Sequence, residues 1–143
     1  MKWVVIPIEP RFYEIDSYQI VNNMFYLSWF EMGRFAVAEK AGLICDRFHD
    51  EGLSFVVKHI DIEYKKSVLF RDKIKCETII SLWTAAKLVF NHRIRNAINN
   101  EIHSEGHSEV ILLKKSKMQL NMPVWVEECI NKYLNDYQEG LPI

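Results

Sequence analysis

The sequence predicts an α+β fold in which one long apolar helix precedes a run of antiparallel strands. Three observations predict it. Met24 to Ala41 is almost wholly apolar, with asparagines before it and Gly42 after it. Four later stretches, from Leu53 to Leu120, carry strand-like sequence in which polar and apolar residues take turns. No repeat, low-complexity tract or linker interrupts the chain, so residues 1–143 read as one domain. A helix that apolar must be covered on most sides, so the sheet is expected to curl around it.

Taken in order, Lys2 to Glu14 is rich in Val, Ile, Phe and Tyr and reads as a strand. Pro7 and Pro10 place it at an edge or a bulge. Asp16 to Val21 is a loop. Asn22 or Asn23 caps the helix that follows, and Gly42 stops it. Leu43 to Gly52 is polar and reads as irregular. Strands follow at Leu53–Lys66, Asp72–Trp83 and Lys87–Arg95, the last with Leu88, Phe90, His92 and Ile94 on one face. Asn96 to Asn100 is a turn, and Glu101 to Leu120 the last strand. Pro123 opens a short amphipathic helix with Val124, Val126, Cys129, Ile130, Tyr133 and Leu134 inward, and the tail from Gln138 frays.

Composition narrows the function classes. Hydrophobic residues make up 49% and charged residues 26%, as in a globular protein, and the net charge of −1 carries no nucleic-acid signature. No apolar run is long enough to span a membrane, because Glu31, Arg34, Glu39 and Lys40 interrupt the longest one. No signal peptide opens the chain. Cys45, Cys76 and Cys129 are odd in number and widely spaced, so they read as reduced, mostly buried thiols in a cytoplasmic protein. His103 and His107 share a strand face but lie too far apart for one metal, and no third ligand is evident. Neither a serine elbow nor a Cys–His signature is present.

The candidate chemistry sits in Arg11-Phe12-Tyr13-Glu14-Ile15-Asp16, just before the helix. A helix start offers unpaired N–H groups and partial positive charge. A carboxylate facing such donors is placed to activate water or to attack a carbonyl, while the donors hold the oxyanion. The bland alternative is an ordinary capping aspartate. Glu14 reads as solvated. Tyr26 and Trp29 suit core or interface packing more than substrate contact. Glu31 and Arg34, one turn apart, read as a structural pair.

The motif resembles the hotdog-fold thioesterases, above all the 4-hydroxybenzoyl-CoA thioesterase-like acyl-CoA thioester hydrolases. The resemblance is carried by Arg11 to Asp16, Val21-Asn22-Asn23, Tyr26 to Arg34, Ala41-Gly42-Leu43, Tyr64 to Ser67 and Arg71-Asp72, with Arg93 to Asn96 and Glu105-Gly106-His107 beyond. It implies a curved antiparallel sheet wrapped around one central helix. It implies hydrolysis of an acyl thioester, with Asp16 as the catalytic acid residue and the Asn23 N–H as oxyanion donor. It further implies dimers whose sheets join edge to edge, or dimers of dimers, with active sites between subunits. No cofactor or metal is expected. Asn22 and Tyr26 are candidate substrate contacts. Lys65, Lys66 and Arg71 are candidates for the phosphates of CoA, against the commoner reading of solvated surface cations.

Two positions depart from the bacterial pattern: Asn23 stands where many members carry His, and Gln19 where they carry Gly. Asn can hydrogen-bond but cannot titrate. Asp16-Ser17-Tyr18-Gln19-Ile20-Val21-Asn22-Asn23 also resembles the acyl-ACP thioesterases, without the Asn and His they carry at the places of Tyr18 and Ile20. The expected function is therefore an acyl-CoA thioesterase for an apolar acyl group. The alternatives are an acyl carrier protein-dependent thioesterase and a non-catalytic acyl-CoA-binding protein.

Overall fold

A computed structural model describes residues 3–137. Strand β1 (Val4–Ile8) leads through a 3₁₀ turn at Phe12–Glu14 to helix α1 (Phe25–Lys40) and the short helix α2 (Asp46–Asp50). Strands β2 (Leu53–Tyr64), β3 (Ile74–Trp83), β4 (Lys87–Asn96), β5 (Ile102–Lys114) and β6 (Lys117–Met118) follow, and helix α3 (Val124–Tyr137) ends the described chain. The strands form one antiparallel sheet in the order β1-β3-β4-β5-β2, with β6 added on β5. β1 is an edge strand, as Pro7 requires, since its N–H-less residue lies in a strand with one neighbour.

Several elements differ from expectation for identifiable reasons. The first strand stops at Ile8, because Pro10 breaks it and the chain tightens into the 3₁₀ turn. Glu14 is buried, not solvated; its carboxylate accepts the Arg11 N–H at 2.6 Å. Leu43 to Gly52 holds α2 instead of being irregular throughout. The last strand ends at Lys114, where Lys115 and Ser116 take left-handed φ of 49° and 66° and turn the chain into β6. Val124 points outward while Val126, Ile130 and Tyr133 are buried. The tail from Gln138 and the start at Lys2 lie outside the described residues.

α1 begins where Asn22 takes the Met24 N–H on its side chain (3.0 Å) and the Phe25 N–H on its carbonyl (3.1 Å), so Asn22 is the capping residue. It ends in a Schellman closure: Gly42 (φ 77°) donates to Glu39 O at 3.1 Å and Leu43 to Ala38 O at 2.9 Å. The expected covering on most sides is not met within one chain. Tyr26, Trp29, Phe30, Gly33 and Val37 are buried, whereas Met32 and Phe35 on another face are 45% and 58% exposed.

Beneath α1 the sheet carries a row of buried polar groups. Thr78 Oγ1 bonds His92 Nδ1 at 2.9 Å, and His92 Nε2 bonds Ser108 Oγ at 2.7 Å. Phe30 stacks on the imidazole at 4.4 Å. The ring is 2% exposed, and burial, aided by the charge of Arg34, pushes its pKa down to about 3. The native state thus refuses a proton that the unfolded chain accepts below its ordinary pKa. Stability from this residue is full above that ordinary value and is lost as pH falls toward about 3. We expect a slope of about 1.4 kcal/mol per pH unit in denaturant-unfolding free energy between pH 6 and 4. His92→Gln, which can hydrogen-bond but cannot titrate, is expected to lower it; an unchanged slope would rule this origin out.

Candidate active site

The segment after the 3₁₀ turn folds into a small hairpin. Ile15 bridges Val21, and the Asp16 N–H donates to Ile20 O at 2.9 Å. Ser17, Tyr18 and Gln19 form its tip. Asp16 sits at the entry to that turn because its side chain closes it: Oδ1 accepts the Tyr18 N–H at 2.8 Å, and the carbonyl accepts the Gln19 N–H at 3.1 Å. The bland alternative, in which Asp16 caps α1, is not met, since Asn22 takes that role as one of the two expected caps. Asp16 is half-buried, and its second carboxylate oxygen has no hydrogen-bond partner among the described residues.

Gln19 holds φ of 65° at the last position of this tip. That conformation costs an L-residue about 1–2 kcal/mol and costs glycine little. The geometry fits the glycine that the family resemblance leads one to expect at this place. Gln19→Gly is expected to raise the unfolding free energy by about 1 kcal/mol in urea titration; a loss of stability would contradict the strained turn.

The hairpin leans on the loop between β2 and β3. Val21 donates to Val68 O at 2.8 Å, Ile20 bridges Leu69, and Leu69 donates to Asp72 Oδ2 at 2.9 Å. His103 holds the far side of that loop, with Nδ1–H shared between the Lys66 and Ser67 carbonyls at 3.1 Å each. Tyr26 is 3% exposed, accepts the Val68 N–H at 3.3 Å and packs on Trp29 and Tyr64. It is a packing residue that supports the loop, the role the sequence favours for it.

Asn23 is exposed at the start of α1, and its N–H makes no hydrogen bond among the described residues. Its carbonyl accepts the Tyr64 hydroxyl at 2.8 Å, which pins the helix start to the end of β2. Asn22 is committed to capping. Lys65 pairs with Glu105 at 3.1 Å and Lys66 with Glu101, so both are partly neutralised. Arg71 is exposed and has no ion pair among the described residues. Cys45 is exposed, against the expectation of mostly buried thiols, whereas Cys76 is buried. No group of His, Cys, Asp or Glu among the described residues is placed to hold a metal ion.

A cavity of about 520 Å³ lies between α1, α2 and β2, walled by Phe48, Leu53, Phe55, Leu88, Phe90 and Val110 among others. None of its lining residues comes from the Asp16 hairpin. Arg34, which sequence reasoning assigned to a pair with Glu31, instead lines this cavity and lies beyond ion-pair distance of that residue. Nothing in the helical spacing distinguishes the two arrangements.

A curved antiparallel sheet packed on one central helix defines the hotdog class of domain. The description "Thioesterase-like superfamily" matches residues 10–128, and the chain belongs to that family. It is similar to the acyl-acyl carrier protein thioesterase ATL3 of Arabidopsis thaliana, 25% identical over 82% of this chain and 62% of the relative. It is also similar to the acyl-CoA thioester hydrolase YbgC of Escherichia coli, 24% identical over 79% of this chain and 84% of the relative. The chain spans 62% and 64% of the length of the first two curated relatives it matches. The solved DHNA-CoA thioesterase of Staphylococcus aureus superposes with a TM-score of 0.84 at 24% identity, covering 100% of this chain and 98% of that one, which shows the fold. No helix of the described residues is long and apolar enough to cross a membrane.

Proposed function

We propose that this chain hydrolyses an acyl thioester, an acyl-CoA with an apolar acyl group, through Asp16 and the Asn23 N–H. The observation that carries the reading is the state of the Asp16 carboxylate. One oxygen is tied to the Tyr18 N–H, which fixes the group's direction, and the other has no partner among the described residues. Such a carboxylate is oriented without being neutralised, which suits a base toward water or a nucleophile toward carbon.

Spacing supports the pairing with Asn23. Ile20 faces Asp16 across the hairpin, and three Cα-to-Cα steps lead from Ile20 to Asn23, a reach of at most about 11 Å. A carboxylate on one side of a thioester carbonyl and an N–H on its oxygen need a span of that order or less. Helix-start donors add partial positive charge where the oxyanion forms. No cofactor is required; water is the second substrate.

The free edge of β2 is where a second copy would extend the sheet, in keeping with the homodimer, or dimer of dimers, that the family resemblance implies. Arg71 remains the cation best placed for a CoA phosphate, since Lys65 and Lys66 already face Glu105 and Glu101. A cytoplasmic location goes with a water-soluble thioester substrate. Similarity to an acyl carrier protein thioesterase supports a second reading, in which the same site receives the acyl group from a carrier protein. Thiol release measured over acyl-CoAs of increasing chain length, beside matched acyl carrier proteins, tests both. The first reading expects saturable turnover of acyl-CoA; turnover of acyl carrier protein alone favours the second, and binding without turnover of either contradicts both.

A further inference from the structure

Arg34 is a half-buried cation with no close counter-charge among the described residues. α1 is pressed onto the sheet one residue earlier: a Cβ on Gly33 would lie 2.1 Å from Thr78 Oγ1. That contact carries Arg34 down with the helix and takes part of its guanidinium out of water. One Nη atom is shut off from solvent with no hydrogen-bond partner among the described residues. No carboxylate of the described residues reaches it within ion-pair distance, and Glu31 attracts it only from farther away. Burial pushes the Arg34 pKa down, in line with a cation that lacks a close counter-charge. Interior cations are normally paired, because leaving one unpaired costs several kcal/mol.

Arg34 lines the cavity of about 520 Å³, whose walls are otherwise mostly hydrocarbon. Its size is that of sites which enclose a small organic ligand. One cation beside apolar walls matches an anion with an apolar tail. We propose that this cavity binds a carboxylic acid with a hydrocarbon tail, the carboxylate on Arg34 and the tail against Phe48, Phe55, Leu88 and Phe90. Glu31 also lines the cavity but is solvent-exposed, so water screens its repulsion of the ligand. The binding does not depend on catalysis by Asp16. Where the proposed hydrolysis also holds, such an acid is the class of product released, and it would inhibit turnover.

The test is calorimetric titration of the full chain with decanoate and with decanol, below their aggregation limits, at neutral pH. Wild type is expected to bind decanoate about tenfold to a hundredfold more tightly than decanol, the value of hydrogen bonds to a charged group. Arg34→Met, which keeps an apolar stem of similar reach, is expected to lower decanoate to the level of decanol and leave decanol unchanged; retained decanol binding shows that the variant is folded. Asp16→Asn is expected to bind decanoate as wild type does, even where thiol release is lost, which separates this inference from the catalytic one. Equal affinity for acid and alcohol in wild type, no binding of either, or undiminished decanoate binding in Arg34→Met overturns the proposal. So does an Arg34→Met variant that changes the oligomeric state but not acid affinity, since the guanidinium would then serve a neighbouring copy.

Discussion

Asp16→Asn is expected to lower the rate of acyl-CoA hydrolysis by about a thousandfold, roughly 4 kcal/mol of activation free energy, while leaving the fold intact. The substitution separates the turn-closing bond this residue makes from the catalytic role proposed for it. Asparagine keeps an oxygen that accepts the Tyr18 N–H, and it is as common as aspartate at the entry of such turns, so the hairpin survives. What it removes is the charge on the oxygen that has no partner among the described residues. Circular dichroism and denaturant midpoints should change by less than about 1 kcal/mol. If Asp16 only closes a turn, Asp16→Asn retains full activity. Asp16→Ala, by contrast, strips the Tyr18 N–H of its acceptor and is expected to lose both turnover and a modest amount of stability.

The second large effect lies in the sheet. Gly106 on β5 faces α1 with no room for a side chain: a Cβ would lie 2.3 Å from the Asp61 carbonyl oxygen on β2 and 2.7 Å from the Phe30 ring. The backbone oxygen belongs to a strand paired with β5 from Leu53 to Tyr64, with one irregularity between Val57 and His59, so it cannot yield without parting the ladder. Phe30 is fully buried and stacked on His92, so it cannot swing away either. Gly106→Ala is expected to cost about 2–3 kcal/mol in urea unfolding, and Gly106→Val to prevent folding. An alanine variant with an unchanged midpoint would show that α1 and the sheet are less tightly apposed than described. The same contact explains why the helix presents Phe30 at this point of the sheet: the ring takes the volume the glycine leaves.

Much of this architecture was legible in residues alone, because periodicity reports burial. The alternation Leu88, Phe90, His92, Ile94 placed His92 on the helix-facing side, and its burial there follows. Gly42 marked the end of α1, since only glycine takes a left-handed φ without strain. Short-range hydrogen bonding was harder to read. Nothing in the order of residues says that Asp16 closes a turn while Asn22 caps the helix; both types suit both places, and tertiary contacts with Val68 and Leu69 decide. Glu14 looked like a surface acid because its buried partner is a main-chain N–H, which leaves no trace in side-chain patterns. Arg34 and Glu31 have the spacing of an ion pair, but the close approach at Gly33 turns Arg34 inward, an event set by another strand. The basic cluster was legible as sequence and weakened by structure, since Glu101 and Glu105 come from β5 and its entry.

The central claim is that one thioester carbonyl lies between the Asp16 carboxylate and the amide at the start of α1. The most direct measurement is a crystal structure with a non-hydrolysable acyl-CoA analogue bound. The analogue's carbonyl oxygen is expected within about 2.7–3.2 Å of the Asn23 nitrogen, with the Asp16 carboxylate facing the carbonyl carbon directly or through one water. An analogue seated with its carbonyl remote from both groups, in a crystal where the ligand is fully ordered, would contradict it.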